Sequence, residues 1–71
     1  MLQRIRERMI IDEIKRNLQA DRINPVALNQ IKSKAAKACL YKKISNEFYK
    51  KIFYQYGEVW YIANLEAIMK Y

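Results

Sequence analysis

The chain has 71 residues, a formal net charge of +7 and an apolar content of 52%, which together predict one ordered domain, residues 1–71, and exclude an extended polar chain. One cysteine, one glycine and no histidine exclude an internal disulfide, a Cys/His zinc site and a glycine-rich phosphate loop. A positive field of this size favours an anionic partner, such as a nucleic acid, an acidic protein or a membrane surface.

The first helix is predicted from residue 2 to about residue 20, because apolar residues recur there at spacings of three and four. They occupy two sides of the helix, which are Leu2, Ile5 and Met9 on one side and Ile10, Ile11, Ile14 and Leu18 on the other. So wide an apolar surface predicts contact with more than one neighbour, including a second subunit.

The second helix is predicted from Pro25 to about Lys43, after a break over residues 20–24. Asn24 followed by Pro25 is a helix start signal, because Asn accepts hydrogen bonds from free backbone N–H groups and proline has no N–H to leave unpaired. The predicted buried side is Leu28, Ile31, Ala35, Ala38 and Cys39, and the last three of these are small, so another backbone can approach closely there.

Ser45 predicts the start of a third helix, Asn46 to Tyr56, which Gly57 is expected to cap at its C-terminus. A fourth helix is predicted from Glu58 to Met69. Val59, Ile62, Leu65 and Met69 share one side of it. Trp60 and Ile62 are expected in the core, while Tyr54, Tyr61 and Tyr71 are expected at the surface. Because residues 58–63 are also rich in β-prone side chains, a short strand is the alternative there. The fold class expected is all-α: a small, dimeric bundle of three or four short helices.

Most of the excess charge lies in residues 32–51, which contain seven lysines and one acidic residue. Lysine suits phosphate contacts that carry no sequence information, and nearby aromatic rings suit unstacked bases. The predicted nucleic-acid-binding residues are Lys32, Lys34, Lys37, Tyr41, Lys42, Lys43, Lys50 and Lys51. The alternative is a solvated face whose lysines complement the dipole of the second helix.

A second basic stripe is predicted on the first helix, because spacings of four and seven return to nearly the same angle around a helix. Its members are Arg4, Arg8, Lys15 and Arg22. Arginine geometry matches phosphate or carboxylate groups. The alternative for this stripe is salt bridging to Glu7, Asp12 and Asp21.

The sequence favours binding over catalysis, because it lacks the usual general base and Cys39 has no histidine to activate it. We expect no enzyme activity, no cofactor and no metal, and Cys39 is expected to pack in the core. The function predicted is nucleic-acid binding, with RNA favoured, by a small regulatory or inhibitory factor of the phage-encoded kind.

The alternative function is a protein-interaction module whose basic face blocks an acidic or nucleic-acid-binding site on a partner protein. A basic amphipathic helix lying on a membrane is a third option. A homo-oligomer, a cytoplasmic location, and no signal peptide or integral membrane segment are also expected.

Overall fold

A computed structural model describes residues 2–54, 57 and 59–71, and every regular element within them is a helix. The helices are α1 (Leu2–Leu18), α2 (Pro25–Leu40), α3 (Asn46–Ile52), α4 (Trp60–Ala63) and α5 (Leu65–Lys70). The all-α expectation is confirmed, and the alternative of a strand near residue 60 is wrong. Where three or four helices were predicted, the described residues form five. None of these helices combines the length and the apolar character needed to cross a membrane.

Helix α1 packs one of its two apolar sides against the rest of the molecule. Ile11 and Ile14 have no exposed surface, and Ile10 and Leu18 pack partly buried against the core. The other side stays in solvent: Leu2 is 72% exposed, Ile5 57% and Met9 63%. Both apolar sides of α1 were predicted from the sequence. Only one of them packs against other described residues.

Helix α2 begins as predicted. The Asn24 side-chain oxygen accepts hydrogen bonds from the backbone N–H groups of Val26 and Ala27, at 3.1 and 3.3 Å, and Pro25 is the first helical residue. Leu28, Ile31 and Ala35 are buried, and the other two residues of the predicted side, Ala38 and Cys39, are partly buried against the core.

Helix α2 ends at Leu40, before the predicted end at Lys43, because the backbone turns sharply at Lys42. Lys42 has a φ of +59°, in the left-handed region. Its N–H donates to the Cys39 carbonyl at 3.0 Å, and the Lys43 N–H donates to the Ala38 carbonyl at 2.8 Å. These two bonds form a Schellman motif, which satisfies the last carbonyls of the helix and stops it.

Helix α3 also begins as predicted, since Ser45 Oγ accepts from the Phe48 N–H at 3.0 Å. It ends at Ile52, short of the predicted Tyr56, and Phe53 and Tyr54 are not helical. Asn64 Nδ2 donates to the Ile52 carbonyl at 3.0 Å, so a distant side chain satisfies this helix end. Gly57 therefore does not cap α3, although its φ of +93° suits glycine. Tyr56 and Glu58 lie outside the described residues.

The predicted fourth helix is divided at Asn64 into α4 and α5. Trp60 is buried as expected, together with Tyr61 and Ile68, so the expectation that Tyr61 is exposed is wrong. The side that carries Val59, Ile62, Leu65 and Met69 is exposed, at 59%, 58%, 43% and 51%, so the expectation that Ile62 lies in the core is also wrong. Both sides are apolar. The side with the aromatic rings is buried, because its burial removes more apolar surface from water.

Trp60 is the largest fully buried side chain and anchors α4 in the core. Its ring lies 4.7 Å from the Phe53 ring and 5.6 Å from the Tyr61 ring, measured between centroids. Its indole Nε1 donates to the Asn29 side-chain oxygen in α2 at 2.9 Å. The aromatic cluster thus joins α2 to the C-terminal helices without an unpaired buried donor.

The only buried charged side chain among the described residues is Glu7 of α1, at 5% exposure. Its Oε2 accepts from the Ser45 N–H at 2.9 Å, and its Oε1 accepts from the Tyr71 hydroxyl at 3.0 Å. The Tyr71 ring also packs edge-on against Phe48, with centroids 5.1 Å apart. Glu7 therefore links the first helix to the start of α3 and to the residue after α5.

Candidate functional site

A short connection after α1 reverses the chain, so that the start of α1 lies beside the end of α2. Arg6 from α1 and Lys34 and Lys37 from α2 line one hollow of about 290 Å³. Tyr41 and Lys43, in the turn that ends α2, complete its wall, and Ala38 lies between them. We call Arg6, Lys34, Lys37, Tyr41 and Lys43 the basic hollow.

The basic hollow concentrates positive charge. Four of its side chains are cations, and none of the described residues that line it is acidic. Within the described part of the chain, Lys34, Lys37 and Lys43 make no ion pair, whereas Arg8 pairs with Asp12 and Lys70 pairs with Glu66. Tyr41 is 63% exposed, so the face of its ring is available beside the ammonium groups. An anion that entered the hollow would meet several unneutralised donors at once.

No protein-family model, no curated protein and no solved structure matches the chain. What the hollow can bind therefore follows from its own side chains.

The structure divides the predicted lysine set. Lys34, Lys37 and Lys43 lie together with Tyr41, but Lys32 lies over the Trp60 ring, 6.0 Å from its centroid. Burial lowers the pKa of Lys32 from its ordinary value of 10.5, and loss of hydration is the cause. Lys32 therefore belongs to the surroundings of the aromatic core and not to the basic hollow.

The remaining predicted lysines also point to other surfaces. Lys51 lies over the Tyr71 ring at 6.0 Å, and Lys50 is exposed on the same helix, α3. Lys42 lines a different hollow, beside Cys39 and Asn46. The segment 32–51 is thus basic throughout, but only part of it converges on one place.

The second predicted stripe keeps three of its members on α1. Arg8 is engaged, because it pairs with Asp12 at 3.6 Å and its Nη1 donates to the Tyr71 carbonyl at 2.9 Å. Arg22 lies beyond the end of α1 at Leu18, so helical spacing does not align it with the others. Of the salt bridges considered for this stripe, the one between Arg8 and Asp12 is present.

Arg6 is a member of the basic hollow that the sequence prediction missed. It lies outside the predicted stripe, since it falls on the opposite flank of α1 from Arg4 and Arg8. A signal was present: two helices joined by residues 19–24 run antiparallel, which places residue 6 near residue 37. This antiparallel pairing predicts that Arg6 lies beside Lys37.

Several polar side chains near the basic segment are engaged inside the fold. Asn29 accepts from Trp60, and Asn46 Oδ1 accepts from the Cys39 thiol at 2.8 Å. Tyr49 stacks on Phe53 with centroids 5.2 Å apart. Cys39 packs partly buried against the core, as expected. Across residues 2–54, 57 and 59–71, no three Cys, Asp or Glu side chains come together to hold a metal ion.

Proposed function

We propose that the chain is a nucleic-acid-binding protein, with RNA favoured, and that it binds through the basic hollow. The observation that carries this proposal is the convergence of four cations and one exposed tyrosine on one hollow, from α1 and from α2 and its C-terminal turn. Among residues 2–54, 57 and 59–71, no acidic side chain lines this hollow. Phosphate oxygens are acceptors that several donors can share. Within the described residues, these donors have no ion-pair partner.

The proposed mode of action is binding without catalysis. Lysine and arginine hold the phosphates by charge, which orients the strand but does not specify its sequence. Tyr41 supplies a ring on which a base can stack, a contact worth about 1–3 kcal/mol. A protein with these properties acts by covering or presenting the nucleic acid, which is the regulatory or inhibitory role that the composition favours.

The test compares two double variants that remove the same charges from different places. Arg6→Gln with Lys37→Gln removes an arginine and a lysine from the basic hollow. Arg4→Gln with Lys50→Gln removes the same pair from exposed positions elsewhere. Binding to a fluorescent single-stranded RNA is measured by anisotropy over a range of salt concentrations. The first variant is expected to bind at least tenfold more weakly, and its salt slope to fall by about 0.7 for each lost phosphate contact.

Equal losses in the two double variants would contradict a localised site, and a flat salt response would contradict phosphate binding altogether.

Leu40, which adjoins Tyr41, is 76% exposed. This exposed apolar side chain beside the cations favours a second candidate function, which is binding to an acidic surface of a partner protein. A pull-down with and without nuclease separates the two, because a protein partner survives nuclease treatment.

We also propose that the chain forms a homodimer. The apolar side of α4 and α5, consisting of Val59, Ile62, Leu65 and Met69, is exposed on all four residues. Helices of four and six residues are not stable alone, so their order depends on packing. A second copy would cover this surface and supply packing that the chain itself does not.

A further inference from the structure

A second groove opens beside the basic hollow, between α1 and α2. Its volume is about 380 Å³, and Met9, Ile10, Ile31, Ala38 and Ile44 form its apolar part. Arg6, Lys34 and Ala38 line both the groove and the basic hollow. The two are therefore neighbouring parts of one surface, and one ligand can occupy both.

The charges of the groove differ from those of the basic hollow. Asp12 and Glu13 lie on the groove, whereas the described part of the chain contributes no acidic residue to the hollow. Asp12 is paired with Arg8, but the Glu13 carboxylate has no hydrogen bond or ion pair with any described residue, and Glu13 is half-buried. The groove lining has three cations, Arg6, Arg16 and Lys34, beside these two acids, whereas the described lining of the hollow has four cations and no acid. A phosphate is therefore favoured in the hollow over the groove, so a nucleotide bound here would have a fixed direction.

We propose that the groove takes an unstacked base of a single strand whose phosphate lies in the basic hollow, a proposal that rests on the nucleic-acid-binding function above. The apolar part of the groove contacts the face of the base, and Glu13 accepts a hydrogen bond from an exocyclic amino group. Bases paired in a duplex cannot enter such a groove without unpairing. The ligand class is therefore single-stranded nucleic acid, with a preference for bases that carry an amino group.

Cytosine and uracil provide a matched pair of ligands. Cytosine presents an N4 amino donor where uracil presents an O4 acceptor. The Glu13 carboxylate accepts hydrogen bonds and donates none. The structure thus predicts that an oligocytidylate binds more tightly than an oligouridylate of equal length. One such contact discriminates by about tenfold.

The experiment measures the affinities of oligocytidylate, oligouridylate and an RNA duplex, each about twelve nucleotides long, by anisotropy at one salt concentration. Deoxyribose oligomers form a second series that separates RNA from DNA binding. The variant Glu13→Gln is compared with Glu66→Gln. The second variant makes the same change on α5, away from the groove and the basic hollow. Glu13→Gln is expected to bring the cytidylate-to-uridylate ratio close to one, and Glu66→Gln to leave it unchanged.

The outcomes of this experiment separate the two proposals. A duplex that binds as tightly as the single strands, or a wild-type ratio near one, overturns the groove assignment and leaves phosphate binding by the hollow intact. A ratio that survives Glu13→Gln also overturns it, with circular dichroism showing that the variant is folded. If no nucleic acid binds at all, the proposed function fails first. An acidic amphipathic peptide that binds while the oligomers do not would assign the groove to a protein partner.

Discussion

The buried Glu7 carboxylate accepts a hydrogen bond from the Tyr71 hydroxyl at 3.0 Å, across 64 residues of sequence. The same carboxylate accepts from the Ser45 N–H, so one charged side chain holds α1, α3 and the residue after α5 together. A carboxylate that is 5% exposed is costly to leave without its donors, because water cannot replace them. The position of Tyr71 at the end of α5 therefore depends on Glu7.

Tyr71→Phe is expected to lower the free energy of unfolding by about 1–3 kcal/mol, because it removes one donor from the Glu7 carboxylate and keeps the ring against Phe48. Chemical denaturation followed by circular dichroism measures this loss. Tyr54→Phe is the control, since Tyr54 is 67% exposed and its hydroxyl is expected to contribute little. Equal stabilities for the two variants would contradict a structural role for the Glu7–Tyr71 bond.

The same bond predicts a pH dependence. Burial raises the pKa of Tyr71 above its ordinary value of 10.0, and the hydrogen bond to Glu7 raises it further, while Arg4 and Arg8 oppose this weakly. Because the folded-state pKa is the higher one, the stabilisation is fully present below pH 10.0 and is lost as the pH rises through the folded-state pKa. The stability gap between wild type and Tyr71→Phe is expected to narrow over that range. Measuring both proteins at each pH cancels the titration of the lysines, and a gap that stays constant would contradict the prediction.

The helix starts could be predicted from the sequence because each depends on a few adjacent residues. Asn24 and Ser45 both cap as expected, since a short polar side chain reaches N–H groups two or three residues ahead. The ends of α2 and α3 could not be predicted in this way. The end of α3 is satisfied by Asn64, twelve residues away, and such a contact exists only once the C-terminal helices have packed.

The turn at Lys42 predicts a stabilising substitution. Lys42 occupies the left-handed position of the Schellman motif, where glycine is the usual residue because it has no Cβ. Lys42→Gly is expected to raise the free energy of unfolding by up to about 1 kcal/mol, measured by chemical denaturation. Lys43→Gly removes the same charge one residue later and is expected to bring no gain. If Lys42→Gly were the less stable of the two, the assigned turn geometry would be wrong.

The candidate site shows what charge counting along a sequence can and cannot locate. Lys34, Lys37, Tyr41 and Lys43 were predicted from the basic segment, and they do share one hollow. Adjacent lysines on a helix point in different directions, so the same segment also places Lys32 on the Trp60 side. Arg6 lies in the hollow because α1 packs against α2. The charge of the segment 32–51 gives no information about that packing.

The proposed homodimer is expected to dissociate when charge is placed on the apolar side of α4 and α5. Ile62 is 58% exposed, so Ile62→Glu is expected to leave the fold intact and to convert the dimer into a monomer, because a dimer would bury the new carboxylate without a partner. Val26→Glu, at a position that is 66% exposed on α2, is the control and is expected to remain dimeric. Sedimentation velocity over a range of concentrations measures the change. If Ile5→Glu dissociates the dimer and Ile62→Glu does not, the interface lies on the exposed side of α1. A wild-type protein that is monomeric at every concentration would contradict the homodimer.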